Sequence, residues 1–184
     1  MGGIPNQGEK VGSRGSIIMS FFGAVFLSLT LMWQRHVWGP VLILPFLIFA
    51  VIGSAALYVL RQSGGGNALS DRAKRTLVWS STGEGIGIFI AINIVMNLHR
   101  PEWRLPAMAL VVGLHFLPIA YGAAFRAFYI LGAALIVVAL IGFAAPTPLG
   151  GYIAGIVAAM CLWTASLLGV LRDWRMIPID KLAM

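Results

Sequence analysis

The sequence predicts an all-α integral membrane protein, a six-helix bundle with both termini cytoplasmic. Three observations carry that prediction. Apolar residues make up 59% of the 184 residues and charged residues only 10%, with a mean hydropathy of +0.90. The apolar residues gather in six long runs. The basic residues fall between the runs, most of them in alternate connections. A soluble domain carries about a quarter charged residues, so this chain has too little polar surface to cover itself in water. Composition therefore excludes a soluble globular enzyme. It also excludes a disordered chain, which combines low hydrophobicity with high net charge.

The six runs are residues 16–33, 39–60, 77–98, 105–121, 126–144 and 150–171, within a membrane domain of residues 16–171 flanked by tails at 1–15 and 172–184. Each is close to the roughly 20 residues of helix that cross a hydrocarbon core. Helix is required because lipid offers backbone groups no other partner. The first run follows a basic tail, as a signal peptide would. Its apolar part is long for that and no A-x-A site follows, so it reads as an uncleaved anchor. Between the fourth and fifth runs, Pro118, Gly122 and Arg126 are the only punctuation.

Orientation follows from the basic residues. With the N-terminus inside, the inner segments hold Lys10, Arg14, Arg61, Arg72, Lys74, Arg75, Arg126, Arg172, Arg175 and Lys181, and the outer ones hold Arg35, Arg100 and Arg104. Both termini are thus expected in the cytoplasm. Tryptophan agrees: Trp33, Trp38 and Trp103 fall at outer span ends, Trp79 and Trp174 at inner ends, and Trp163 lies deeper. Trp prefers the headgroup level. The longest loop, residues 61–76, contains Gly64, Gly65, Gly66 and Asn67 and reads as flexible. Ser70 is placed to cap a short helix with Asp71 in its first turn. Arg72, Lys74 and Arg75 would then face anionic headgroups. Ala145-Pro146-Thr147-Pro148 reads as a tight outer turn.

The net charge of +7 is accounted for by this topology. Membrane lipid is the expected partner and nucleic acid is not. Cys161 is the only cysteine, so one chain forms no disulfide. Structural zinc needs several Cys or His ligands close together. Haem for electron transfer needs paired interior axial ligands, and His36 and His99 stand at outer span ends. No cofactor and no metal are therefore expected. No strong internal repeat is visible, and two three-helix halves would be inverted simply because three is odd.

Ionisable groups inside spans are costly and each needs a reason. Away from the span ends there are two, Glu84 in the third span and His115 in the fourth. Counting from Trp79 puts Glu84 about 7–8 Å below the inner interface. Counting from Trp103 puts His115 about 18 Å from the outer one. The two levels differ by about 4–5 Å, and the short connection makes these spans antiparallel neighbours. A contact is therefore expected if both side chains face the shared interface. Together they can share a proton or form an ion pair, the minimum equipment of a proton-linked site.

The inner end of the third span, Trp79-Ser80-Ser81-Thr82-Gly83-Glu84-Gly85-Ile86-Gly87, combines hydroxyls, three glycines and one acid. Gly83 and Gly87 form a small-xxx-small pair suited to close helix approach. Glycines beside an acid also leave room for water or a small ligand, or for a local helix break. The pattern fits neither the dinucleotide nor the P-loop fingerprint. Asn93 is nine residues beyond Glu84, about 180° around a straight helix, and Asn97 shares the Asn93 side. Each face of this span is thus expected to meet a different neighbour, which suggests a central helix. Asn93 is the candidate orienting group, with Asn97, Ser81 and Thr82 as secondary polar candidates. The bland reading makes the asparagines interhelical glue and Glu84–His115 a packing lock. Pro118 is expected to kink the fourth helix after His115. Pro40 and Pro45 shape the start of the second, and Gly132, Gly142, Gly151 and Gly155 read as packing positions.

The stretches Glu84-Gly85-Ile86-Gly87-Ile88-Phe89 and Val112-Gly113-Leu114-His115-Phe116-Leu117-Pro118-Ile119-Ala120 resemble a family of small bacterial multi-span membrane proteins of unknown function. The likeness covers mainly the third to fifth spans. It implies a six-helix bundle in a bacterial inner (plasma) membrane and no particular activity.

Three functions follow as expectations. The first is a small proton-linked transporter or ligand-binding membrane protein. Here Glu84 is the proton or cation group, His115 its partner and Asn93 the orienting amide. Its partners are a proton or a small molecule. The second is a structural or accessory subunit, a homo-oligomer or the partner of another membrane subunit. The third and weakest is an intramembrane enzyme. It lacks a recognisable nucleophile–base set, and Ser80, Ser81 and Thr82 are too generic to supply one.

Overall fold

The structure, a computed structural model, describes residues 11–62, 71–123 and 126–177. They form six helices: α1 (Val11–Arg35), α2 (Leu44–Gln62), α3 (Asp71–Asn97), α4 (Arg104–Ala123), α5 (Arg126–Ala144) and α6 (Leu149–Arg175). Single 3-10 turns at Pro40–Ile43 and Pro101–Trp103 lead into α2 and α4. All six helices are long and apolar enough to cross a membrane. The chain is therefore an all-helical, multi-pass membrane protein, as its composition predicts.

Two local expectations need correction. The short capped helix after Ser70 is instead the first turns of α3, which opens at Asp71. Helical backbone needs no apolar side chain to continue, so polar turns lengthen the helix ahead of the Val78–Asn97 span. The break beside Glu84 is absent, because α3 runs unbroken to Asn97 despite its glycines. α4 continues as one helix with Pro118 inside it. Lys10, Gly64, Gly65, Gly66, Asn67, Ser70 and Lys181 lie outside the described residues.

α1, α4, α5 and α6 enclose the core, where Phe26, Leu105, Val112, Leu135 and Leu162 are fully buried. α2 packs on α1 and α6. α3 packs on α4 and on the turn that precedes it. The third span is thus peripheral rather than central. Its inward residues, Ser80, Glu84, Gly87, Ile88, Ala91, Ile92 and Val95, form one stripe. One stripe accommodates one neighbour.

The longest interface, between α1 and α6, is antiparallel and built from small and polar residues. Ser16 Oγ donates to the Ser166 carbonyl at 2.7 Å, and Ser166 Oγ returns the bond to the Ser16 carbonyl at 2.7 Å. Trp163 Nε1 donates to the Ser20 carbonyl at 3.1 Å. A Cβ on Gly23 would lie 2.6 Å from the Trp163 ring, which explains the glycine there. Further along, Gly155 faces Thr30 and Gly151 faces Gln34. At the other end the fully buried Asp173 accepts from both the Ser13 amide (2.7 Å) and the Ser13 hydroxyl (2.9 Å). First-turn amides have no partner within their own helix, and a carboxylate at a helix N-terminus meets the positive end of its dipole. Asp173 therefore caps α1 from α6. The clasp also puts the two described ends of the chain on one side of the bundle.

On the opposite side, each of the three basic residues lies over an aromatic ring. Arg104 is 4.4 Å from the centroid of Trp33, Arg100 is 5.4 Å from Trp103 and Arg35 is 5.5 Å from Tyr152. His36 and His99 adopt left-handed backbone, with φ of 52° and 56°. They end α1 and α3 where glycine is usual.

Candidate functional site

The α3–α4 contact brings Glu84 and His115 together. His115 Nε2 lies 3.4 Å from Glu84 Oε2, and each side chain is 8% exposed. Glu84 is six residues into the Val78–Asn97 span and His115 six residues from the end of the Pro101–Tyr121 span. Antiparallel helices then place both about 9 Å inside the same face. Gly87, one turn beyond Glu84, allows the approach, since a Cβ there would stand 2.9 Å from Val111 Cγ1. Behind His115, Gly113 lets α4 sink against α5: its Cβ would sit 2.9 Å from the Gly132 carbonyl oxygen. The imidazole also meets the ring of Phe116 edge-on, with centroids 5.4 Å apart.

Ser80 completes the group. Its hydroxyl donates to the His115 carbonyl at 3.0 Å and lies 3.0 Å from His115 Nδ1. Nδ1 is also 3.0 Å from the Ser80 carbonyl oxygen. A carbonyl only accepts, so this contact is favourable with the proton on Nδ1. In the neutral ring, Nε2 then presents a lone pair to Glu84. A carboxylate facing a lone pair is repulsive, so one further proton belongs between Nε2 and Oε2. It resides as an imidazolium beside a carboxylate or as an imidazole beside a carboxylic acid. Losing it leaves a buried negative charge, and gaining a second leaves a buried positive one.

The same tautomer argues against Ser80 as a nucleophile. A base must present a lone pair to the hydroxyl it activates. With the proton on Nδ1 that nitrogen has no lone pair to offer, and the hydroxyl's own proton goes to the His115 carbonyl. Ser80 sits well inside α3, where backbone N–H groups are bound within the helix, so it brings no oxyanion donor with it. Among the described residues, no three or more His, Cys, Asp or Glu side chains gather as a metal site would need.

The other candidates fall elsewhere. Asn93 is exposed on the far side of α3 and donates Nδ2 to its own Phe89 carbonyl at 2.8 Å. Asn97, Ser81 and Thr82 are exposed as well. None lies beside the pair: helical rotation carries Thr82, Asn93 and Asn97 to other faces, and Ser81, three residues before Glu84, is exposed at the edge of its stripe. Of the small-xxx-small pair only Gly87 meets a helix, and Gly83 faces open space. Ser80 was the residue undervalued in the sequence. Its four-residue spacing from Glu84 puts both on one helical face, and that spacing was the available signal. Comparison with protein families, with characterised proteins and with solved structures gives no match. The likeness carried by residues 84–89 and 112–120 rests on those residues alone.

Proposed function

We propose that this chain is an inner-membrane protein of bacteria, with both ends cytoplasmic, that couples protonation of the Glu84–His115 pair to passage or binding of a small molecule. One observation carries the reading: a buried acid and imidazole at 3.4 Å whose other ring nitrogen contacts Ser80. With that nitrogen's proton given to the Ser80 carbonyl, one exchangeable proton is left to the pair. Moving that proton changes the charge of a site with little solvent, and such a change biases helix packing. The basic residues on the described face that holds both chain ends support the orientation. On this reading the pair opens toward the cytoplasmic half of the membrane.

The test is proton flux in vesicles reconstituted with the full chain and loaded with a pH-sensitive dye. Glu84→Gln keeps shape and hydrogen-bonding capacity while removing the titrating group. Wild-type flux should collapse to the empty-vesicle level in that variant. Flux that persists undiminished in a variant with unaltered melting would refute the proposal.

A second reading has its own observation in favour. α3 packs on α4, and Ser80, Glu84 and His115 supply the polar ties between them. In that case the pair is a lock. Glu84→Gln would then lower the melting temperature, and the wild-type protein would carry no proton flux at all.

A further inference from the structure

α3 is the least apolar of the six spans and also the least buried. Only 11% of its membrane window is buried, against 56% for the similarly polar window of α4. Lipid contact should fall to the most apolar helices and burial to the more polar ones. α4 obeys that expectation and α3 does not. The outward residues of α3 include Trp79, Thr82, Ile86, Phe89, Asn93 and Met96, all exposed. They recur in alternating steps of three and four, the spacing of a helix–helix seam. Asn93 lies near the angular middle of that face, four residues from the Asn97 end of the span. One of its N–H groups goes to the Phe89 carbonyl. Among the described residues its second N–H and its carbonyl oxygen have no partner. An amide turned toward lipid is an unmet demand for hydrogen bonds.

We propose that two copies of this chain pair through this face of α3, about a two-fold axis along the membrane normal, with Asn93 bonded to Asn93 of the second copy. The symmetry selects the occupant. A two-fold interface sets each residue against its own image at the same depth. An amide carries both donor and acceptor, so it satisfies itself in that geometry. Thr82 meets a hydroxyl, and Ile86 and Phe89 meet apolar partners between the two polar levels. A single polar residue in an otherwise apolar seam is also a device that sets register. The dimer stands independently of any proton chemistry at Glu84, which faces the other way.

The experiment uses the full chain in native membranes, with Cys161→Ala to remove the only thiol. Ile86→Cys, Phe89→Cys and Asn93→Cys, introduced singly, should each give a disulfide-linked dimer on mild oxidation. Val51→Cys on α2 and Ile130→Cys on α5, both exposed, should not. In lipid dilution followed by energy transfer, Asn93→Leu should weaken pairing about 3- to 30-fold, and Asn93→Gln should retain most of it. Monomers throughout would overturn the proposal, as would equal cross-linking from α2 and α5. So would an Asn93→Leu variant that pairs like wild type, or adducts from α3 only to a different protein.

Discussion

Removing the Asp173 carboxylate tests the α1–α6 clasp directly. The group is 0% exposed and accepts two hydrogen bonds from Ser13 on Oδ2, while Oδ1 pairs with Arg172 at 3.0 Å. A hydrogen bond to a charged acceptor contributes about 1.5–3 kcal/mol, and a buried donor left without a partner costs about 1–3 kcal/mol. Arg172 is 35% exposed and recovers solvent, so its half of the pair adds little. Asp173→Ala should therefore destabilise by about 3 kcal/mol. Asp173→Asn retains an acceptor oxygen and should cost about 1 kcal/mol. Ser13→Ala removes the hydroxyl bond and keeps the amide bond, about 1.5–2 kcal/mol. Reversible unfolding in mixed micelles, titrated with SDS and followed by circular dichroism, measures all three. The double variant Ser13→Ala with Asp173→Ala should cost less than the two singles together, because they share one bond. Strict additivity, or an Asp173→Ala variant within about 0.5 kcal/mol of wild type, would show that the clasp does not hold the helices.

The remaining predictions concern glycines and helix ends. Gly113→Ala places a methyl 2.9 Å from the Gly132 carbonyl oxygen; backbone cannot swing aside, so melting should fall by an amount equivalent to about 1–3 kcal/mol and proton flux should fall with it. Gly83→Ala meets nothing within 4 Å and should leave melting unchanged or raise it by up to about 1 kcal/mol through helix propensity; a loss there would mean that face is covered more tightly than the monomer indicates. His99 holds φ of 56°, and the Arg100 and His99 amides close onto the Val95 and Met96 carbonyls at 3.1 Å each. His99→Gly should therefore stabilise by up to about 1 kcal/mol, since glycine takes left-handed backbone without the Cβ penalty; unfolding in mixed micelles again decides it, and a destabilised variant would reveal a separate task for the imidazole.

How far the site was legible depended on which physical quantity each step needed. The levels of Glu84 and His115 came from counting residues at 1.5 Å each from the tryptophans, and the counted levels were close enough to predict a contact. The same counting put Asn93 on the opposite face of α3, which the exposed amide matches. What failed was the inference that two polar faces imply two neighbours. Among the described residues α3 packs closely on one helix, α4, and the asparagine face looks outward. Asp173 and Ser13 went unnoticed because each sits at a span end, where polar residues are ordinary.

The sequence by itself determined that the chain is helical and that it carries six segments long and apolar enough to cross a membrane. Hydrocarbon imposes that choice residue by residue, through the local cost of polar side chains and unpaired backbone. Tertiary structure alone decided how each helix is turned about its axis. That rotation is set by close approaches such as Gly113 on Gly132 and Gly87 on Val111, which join residues distant in the chain. It is what turned Ser80 toward His115, Asn93 away from the bundle, and Asp173 onto an amide 160 positions earlier.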